Sequence, residues 1–225
     1  MALKSGIHYG RVKIMLSSND KEIIDELRKI QKSRDCWKNN IDFVADKLNE
    51  IYSVEVKAKA LWVIGEIGLI YPEKVKEYID VIVGYIEDEH PKLRERSVNA
   101  LGRIGRADKN LIIPYMDKLM KTREDDMEKV RLAFVWACEN IATNAPELFC
   151  EKLELFKDMF SDPGEKVRIE APEMFRVVGK RKPECVRPYL KKLEYIAKND
   201  KHPIVRIHSR GAVRITKDAL KKDNA

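Results

Sequence analysis

Five segments of this chain repeat one pattern at an almost constant interval. They open with Lys57, Arg94, Arg131, Arg168 and Arg206, and successive basic residues are 37, 37, 37 and 38 positions apart. The segments read VKAKALWVIGEIG, LRERSVNALGRIG, VRLAFVWACENIA, VRIEAPEMFRVVG and VRIHSRGAVRITK. A period of roughly 20–50 residues is the signature of a repeat protein. The chain is therefore predicted to fold as stacked copies of one unit.

The residues ahead of each segment also repeat, with apolar side chains at gaps of four, three and four. This spacing places them on one stripe of an α-helix, and no strand-like alternation appears. Pro72, Pro146 and Pro183 recur where this helix begins, because a missing N–H costs nothing there. Each repeat is thus predicted to contain an outer helix A and an inner helix B. The stripe residues are Trp37, Ile41, Val44, Leu48, Val75, Ile79, Ile82, Ile86, Ile112, Met116, Leu119, Phe149, Leu153, Phe156, Phe160, Val186, Leu190, Leu193 and Ala197.

An aspartate in the turn before helix B stands six residues ahead of the basic residue in four repeats. Its carboxylate can cap helix B, and the guanidinium can bridge that carboxylate and its neighbour. In these pairs the sequence resembles the HEAT-repeat family, including its short prokaryotic forms, over about residues 37–217. The resemblance implies a structural Asp–Arg ladder through the stack, although the first copy has Ile51 and Lys57 at these positions. The pairs are Asp88 and Arg94, Asp125 and Arg131, Asp162 and Arg168, and Asp200 and Arg206.

The predicted fold is all-α: a right-handed α-α superhelix, a HEAT-like solenoid of about five helical hairpins after an N-terminal capping pair. One hairpin cannot bury both of its faces, whereas stacked hairpins share a continuous core. The capping pair would occupy residues 1–36, with a short helix near Ile7 to Leu16 and a second from Asp20 to Gln31. In this single domain the repeats would occupy 37–69, 70–106, 107–143, 144–180 and 181–217, and 218–225 would form a frayed tail.

Composition indicates the environment for which the protein is suited. Charged residues make up 36% and hydrophobic residues 44% of the chain, as in a folded protein with a charged surface. No stretch approaches the roughly 18 apolar residues of a membrane span, and no apolar signal segment is seen. The cysteines (Cys36, Cys138, Cys150 and Cys185) form no CxxC pair. Most of them are predicted to be small apolar fillers, in a protein of the reducing cytoplasm.

Catalytic motifs are absent from the sequence. We find no GxGxxG, GxxxxGK[ST], HExxH or GxSxG. His90 and His202 occupy equivalent turn positions before a proline, so repeat geometry accounts for them. His202 and His208 lack a third ligand of the kind a metal needs. No catalytic residue, metal site or cofactor is therefore predicted.

The exposed side of the B helices, which lines the concave surface of a solenoid, is the predicted partner-binding face. Trp62 and Trp136 share one register there, five residues after the basic residue that opens each segment. Tryptophan and arginine are typical anchors of protein interfaces. The alternative for each tryptophan is ordinary core packing between neighbouring B helices. The predicted contact residues are Trp62, Glu66, Arg96, Asn99, Arg103, Arg106, Trp136 and Asn140.

Positive charge is concentrated at the C-terminal end. The net charge is +7, but residues 164–225 hold 17 Lys and Arg against 8 Asp and Glu, which leaves −2 for the remainder. Such a surface can attract phosphates, although a lysine-rich solvated surface is the simpler interpretation. The residues predicted for nucleic-acid contact are Arg176, Lys180, Arg181, Lys182, Arg187, Arg210 and Arg214.

The predicted function is a non-catalytic scaffold that binds a protein or peptide, with nucleic-acid binding as an alternative. A second alternative is divergence from the alkylpurine DNA glycosylases, which are also built on HEAT-like repeats. The Trp136 segment is similar to one of their Trp-bearing helices, and Arg94 to a backbone-contacting arginine. The chain has no equivalent of their Trp-Trp-Asp segment, so Glu66 would have to replace the key aspartate. Bilin lyases carry similar short repeats, but no residue here indicates a tetrapyrrole site.

Overall fold

A computed structural model describes residues 17–223 of the chain. Of these residues 86% are helical and none lies in a strand. The predicted all-α solenoid of stacked helical repeats is therefore confirmed. The short helix predicted near Ile7 to Leu16 lies outside the described residues.

Thirteen α-helices follow one another along the described part of the chain. α1 belongs to the N-terminal cap, and the others form the repeats. Their bounds are α1 Ser18–Lys32, α2 Ile41–Asp46, α3 Val54–Ile70, α4 Pro72–Val75, α5 Ile79–Gly84, α6 Pro91–Ala107, α7 Met116–Lys121, α8 Glu128–Asn144, α9 Leu153–Asp158, α10 Glu165–Gly179, α11 Pro183–Val186, α12 Leu190–Asn199 and α13 Pro203–Asp223.

The inner B helices are α3, α6, α8, α10 and α13, and each is continuous. They begin at residues 54, 91, 128, 165 and 203, so they keep the intervals seen in the sequence. Side-chain caps fix where several of them start. Ser53 Oγ accepts a hydrogen bond from the Val56 N–H (3.4 Å), and His90 Nδ1 accepts one from the Lys92 N–H (3.3 Å). The turn position of His90 thus has a structural explanation.

The outer A helices differ from the uninterrupted helices that the stripe predicts. Each is broken into α-helical and 3₁₀ segments, which still present the stripe to the core. Pro114 and Pro188 explain two of the breaks, because proline removes a backbone donor and crowds the preceding turn. The 3₁₀ segments are Arg34–Asn39, Lys76–Tyr78, Tyr85–Glu87, Lys109–Leu111, Ile113–Tyr115, Thr122–Glu124, Pro146–Lys152, Met159–Ser161 and Arg187–Tyr189.

The core runs along the whole stack, between the A segments and the B helices. Leu153 and Phe156 of α9 are fully buried, and Phe156 stacks on Phe134 of α8 with ring centres 5.4 Å apart. Trp37 is 2% exposed, and its indole N–H donates to the Ile30 carbonyl oxygen (2.8 Å). Helix α1 is thereby tied to the first repeat.

Two glycines bring neighbouring B helices into backbone contact. A Cβ added at Gly65 would lie 2.8 Å from Cα of Ala100, and one added at Gly102 would lie 2.4 Å from Cα of Ala137. Both distances are too short for a real side chain. At these two positions neighbouring B helices therefore pack backbone against backbone.

The aspartate–arginine ladder joins neighbouring repeats at two places, Arg94 to Asp125 and Arg131 to Asp162, and only half of the expected bridge forms. Arg131 donates through Nε and Nη2 to both carboxylate oxygens of Asp162 in the next repeat, at 2.8 Å each. Its Nη1 donates to the backbone carbonyl oxygen of Asp125 (2.7 Å). The expectation that Arg131 holds the Asp125 carboxylate is wrong, because that carboxylate binds Arg94 of the preceding repeat. The side chain of Arg131 extends along the stack rather than back into its own turn.

The cysteines also depart from expectation. Cys150 and Cys185 form a disulfide between the A segments of the fourth and fifth repeats, with Cα atoms 5.2 Å apart. These two are therefore not simple apolar fillers: their separation of 35 residues is two short of the repeat interval, and their side chains meet between neighbouring A segments. Cys138 is buried and free, as a filler would be, and Cys36 is exposed. The cytoplasmic location stays a prediction.

The C-terminal end is more ordered than the sequence suggested. Helix α13 continues to Asp223, so residues 218–223 extend a helix instead of forming a frayed tail. Ala219 and Leu220 are partly buried, which gives this extension contacts with the rest of the chain. No helix in the described part is long and apolar enough to cross a membrane.

Candidate partner-binding groove

The groove is defined here as the exposed face of the B helices, from α3 to α13. Trp62 of α3 lies on it, partly covered by two guanidinium groups of α6. The Cζ atoms of Arg103 and Arg96 lie 4.0 and 4.7 Å from the centre of its ring, within cation–π range. Arg103 also pairs with Glu66, with an N–O distance of 3.0 Å. Trp62 is therefore neither core nor a free surface side chain.

A cavity of about 530 Å³ opens beside Trp62, with helix α1 as one wall. Four cationic side chains line it, and Lys92 pairs with the one carboxylate in its wall, Glu55 (3.4 Å). Burial lowers the pKa of Lys59, and the nearby charges of Arg28 and Arg96 lower it further. This end of the groove thus has an excess of positive charge. The cationic side chains are Arg28, Lys59, Lys92 and Arg96.

Arg103 has unused donor capacity at the same end. Its Nη1 is buried and has no hydrogen-bond partner among residues 17–223. Burial lowers the pKa of Arg103, and the neighbouring charge of Arg96 acts in the same direction. A buried guanidinium nitrogen without an acceptor is costly, so this end of the groove carries a local energetic penalty.

Trp136 of α8 lies further along the groove and is 40% exposed. Asn140, one turn later, donates from its side-chain amide to the Trp136 carbonyl oxygen (2.9 Å) and accepts from Arg106 (3.3 Å). Asn99 of α6 likewise donates from its side-chain amide to the carbonyl oxygen of Glu95, one turn earlier in the same helix (3.0 Å). The exposed indole has no cationic cover of the kind seen at Trp62 in the described structure.

Three glutamates gather around Trp136, one on α8 and two on α10. The Oε1 atom of Glu139 is buried and accepts no hydrogen bond from the described part of the chain. Burial raises the pKa of Glu139 well above its usual range, and the charges of Glu170 and Glu173 raise it further, while Arg176 opposes them. Burial also raises the pKa of Glu170, although His208 and a hydrogen bond from Trp136 lower it. This end of the groove is therefore lined by carboxyl groups, in contrast to the cationic side chains of the Trp62 end.

Arg176 and His208 lie beside the carboxyl groups of the acidic end. Arg176 pairs with Glu173, and His208 Nδ1 lies 3.7 Å from the other oxygen of that carboxylate. The same ring nitrogen of His208 is 2.8 Å from the Ile169 carbonyl oxygen. Three carboxyl groups thus share one guanidinium and one imidazole.

The eight residues predicted for partner contact all lie on α3, α6 and α8. Arg103 joins Trp62 to Glu66, and Arg106 joins α6 to Asn140. The structure therefore brings seven of them together in two connected groups, whereas the amide of Asn99 bonds within its own helix. Whether they contact a partner stays a prediction.

The basic residues predicted for nucleic-acid contact are all exposed. They are spread over the end of α10, the turn after it, the following 3₁₀ segment and α13. Several are already engaged: Arg176 with Glu173, Arg187 with Glu184 (2.7 Å), and Arg181 with the Thr143 carbonyl oxygen. The remaining residues, Lys180, Lys182, Arg210 and Arg214, are also exposed.

The prediction from sequence missed Glu139 as a site residue. When the repeats are aligned at their 37-residue interval, Glu139 falls in the column of Gly65 and Gly102. A glutamate in a column of packing glycines is a visible signal that one interface between helices has changed. Lys59, Glu170 and Glu173 stand two or five residues after the basic residue of their repeats, on the exposed side of helix B, but nothing local distinguished them from solvated charges. Arg28 of α1 was also missed, because its place in the wall of the cavity beside Trp62 depends on how the N-terminal cap packs against the repeats.

Within residues 17–223, no group of three or more His, Cys, Asp or Glu side chains is arranged to hold a metal ion. The three glutamates therefore form a charged surface rather than a metal-ligand set.

Solved structures similar to this chain are helical-repeat proteins. An engineered protein aligns over 92% of this chain and 95% of its own, with a TM-score of 0.67 and 15% identity. A computationally designed armadillo repeat protein for modular peptide recognition aligns over 88% and 92%, with a TM-score of 0.63 and 18% identity. At such identities the likeness concerns the fold alone. No match was found among curated proteins.

The sequence itself matches one protein family over most of its length. Residues 22–209 match the family described as sister chromatid cohesion protein PDS5. The matched range includes all but the first turn of the cap helix α1 and nearly all of the repeat array, in agreement with the HEAT-like resemblance. The chain therefore belongs to the PDS5 family of HEAT-repeat proteins.

Proposed function

We propose that this protein is a non-catalytic scaffold that binds an extended protein segment along the groove. The observation that carries the proposal is Trp136, a 40% exposed indole in register with Trp62 on the inner face of the stack. Large aromatic side chains anchor protein interfaces because they bury much apolar area at low entropic cost. An exposed tryptophan amid polar groups with free bonding capacity has the chemistry of such an anchor.

The similar solved structures support the choice of a peptide partner. One of them was designed on an armadillo scaffold for modular peptide recognition. A solenoid presents one helix per repeat along its inner face, so a partner in extended conformation can contact several repeats in succession. The groove offers Asn99, Asn140 and Arg106 as hydrogen-bonding groups between the two tryptophans.

The test uses random twelve-residue peptides displayed on phage and selected on the immobilised protein. We expect enriched peptides whose affinity falls by about 30-fold in Trp136→Ala, which corresponds to about 2 kcal/mol. Tyr195→Ala is the matched control, because Tyr195 of α12 is more exposed than Trp136 but lies on an A helix. Peptides that bind Trp62→Ala/Trp136→Ala as well as the wild type would contradict the proposal, as would a failure to enrich any peptide.

A further inference from the structure

The two ends of the groove are lined by different groups, cationic side chains at one and carboxyl groups at the other, and each has a buried polar atom without a hydrogen-bond partner among residues 17–223. Arg103 Nη1 is the unpaired donor at the Trp62 end, and Glu139 Oε1 is the unpaired acceptor at the Trp136 end. Unsatisfied buried groups of this kind are rare in folded proteins and call for an explanation. Neither atom is accessible to solvent, and Arg103 does not line the cavity beside Trp62, so a ligand would meet the more exposed charged groups at each end.

The basic end has the shape of a binding pocket. Its cavity of about 530 Å³ is lined by Arg28, Lys59, Lys92 and Arg96, with Trp62 in its wall. A carboxylate or phosphate placed there would receive charge-assisted hydrogen bonds from guanidinium and ammonium groups. It would also relieve the mutual repulsion that lowers the pKa of Lys59.

The acidic end is built differently. Glu139 stands in the repeat column of Gly65 and Gly102, so a carboxyl group replaces the close backbone contact found in the earlier repeats. The exposed indole of Trp136 lies next to it, and Glu170 and Glu173 complete the wall. An ammonium or guanidinium group there would contact the indole face and pair with the carboxylates.

The separation of the ends follows from the repeat. Trp62 is on α3 and Trp136 on α8, with α6 between them. Neighbouring packed helices lie about 8–10 Å apart, so the two ends are about 16–20 Å apart. An extended chain advances about 3.3 Å per residue and covers this distance in about five or six residues.

We propose that the groove binds an extended protein segment that carries an acidic side chain and a basic side chain about six residues apart. The acidic side chain occupies the cavity beside Trp62, and the basic side chain lies on Trp136 among Glu139, Glu170 and Glu173. This inference rests on the proposed function and adds the chemistry of the partner. Opposite charges at a fixed spacing also define the direction in which the segment runs.

The peptides selected by phage display provide the test. We expect an Asp or Glu and a Lys or Arg to recur at a separation of about five to seven residues. Replacing the basic residue of a selected peptide with Glu should reduce its affinity at least tenfold for the wild type. Glu170→Lys should also bind the original peptide at least tenfold more weakly, and should regain most of the loss with the Glu-substituted peptide.

The opposite end is tested in the same way. Arg96→Glu should lose affinity for the original peptide and recover it when the acidic residue is replaced with Lys. Glu73→Lys and Lys74→Glu are matched controls, because both residues are exposed on α4, an A segment. Glu170→Gln and Arg96→Gln should each show a smaller loss, so they provide the test if a charge reversal prevents folding.

The outcomes separate the two proposals. Peptides that depend on Trp136 but show no recurring charge pair, or that bind equally to the charge-reversed variants, would overturn this inference and leave the scaffold function standing. If no enriched peptide depends on the tryptophans, the scaffold function itself fails, and this inference fails with it.

Discussion

Arg131 of α8 holds Asp162 of the following repeat through two hydrogen bonds of 2.8 Å each. Their side chains are only 11% and 7% exposed, so water screens this pair weakly. Arg131→Ala leaves a nearly buried carboxylate without its guanidinium, and we expect a loss of roughly 1–3 kcal/mol in the free energy of unfolding. Chemical denaturation followed by circular dichroism measures it.

The matched comparison for that variant is Arg168→Ala. Arg168 donates to the backbone carbonyl oxygens of Asp162 and Pro163, so its removal should cost less. Equal losses in the two variants would mean that the inter-repeat ion pair adds nothing beyond the bonds within each turn.

The charge of a fluorescence quencher should distinguish the two groove tryptophans. Trp62 lies beneath Arg96 and Arg103, whereas Trp136 lies beside Glu139, Glu170 and Glu173. Local potential concentrates counter-ions, so iodide should quench Trp62 in preference and caesium should quench Trp136. Single-tryptophan proteins would be measured, with acrylamide as the neutral reference. The same order of quenching for both ions would show that the groove has no charge polarity.

Trp37 serves as the internal control in this experiment. At 2% exposure, its emission should be protected from all three quenchers. Ready quenching of Trp37 would mean that α1 is not docked on the first repeat in solution.

Glu139→Gln should make the protein more stable at neutral pH. Because its pKa is raised in the folded protein, Glu139 binds its proton more tightly there than in the unfolded chain. Its ionisation therefore destabilises the fold as the pH rises above the usual carboxyl pKa of about 4.3 towards the raised value. Calorimetric melting between pH 4 and pH 8 should show an advantage of the variant that grows with pH. Each 1 kcal/mol gained would raise the Tm by about 2–4 °C.

The control for this effect is Glu151→Gln, a change at an exposed position of the fourth A segment. It should leave the dependence of Tm on pH nearly unchanged. A Glu139→Gln protein that melts like the wild type at every pH would mean that the Glu139 carboxyl is well solvated, against the structure.

Reduction of the Cys150–Cys185 disulfide should weaken the C-terminal repeats. The bond closes a loop with a sequence separation of 35 residues. For a loop of this length the entropic stabilisation is about 3–4 kcal/mol, equivalent to a Tm shift of about 10 °C. Thermal unfolding with and without a phosphine reductant measures it. Cys150→Ser/Cys185→Ser should melt like the reduced wild type and should not respond to the reductant.

The repeat pattern was sufficient to predict the architecture, because periodic burial is a local property of the sequence. Gaps of four, three and four located Leu153 and Trp37 in the core, and the 37-residue interval located every B helix. Contacts between repeats were less predictable. The partner of Arg131 depends on the direction in which a long side chain extends, and the disulfide depends on two residues in separate repeats.

The groove, like the fold, was only partly predictable from the sequence. The register of Trp62 and Trp136 followed from the alignment of the repeats, whereas their different surroundings did not. Arg103 of α6 covers Trp62 of α3, and Glu170 of α10 contacts Trp136 of α8. Such charges on outward positions are indistinguishable in sequence from solvated ones until the helices are placed side by side.

The backbone contacts at Gly65 and Gly102 have a consequence for selectivity. Helices that touch through their main chains cannot slide or rotate without a clash, so α3, α6 and α8 keep a fixed mutual spacing. A partner then meets a pre-organised surface, and the entropic cost of ordering falls almost entirely on the partner. Sequences that place their charges one or two residues too close together cannot be accommodated by adjustment of the protein. Discrimination among partners would therefore arise from a mismatch in length.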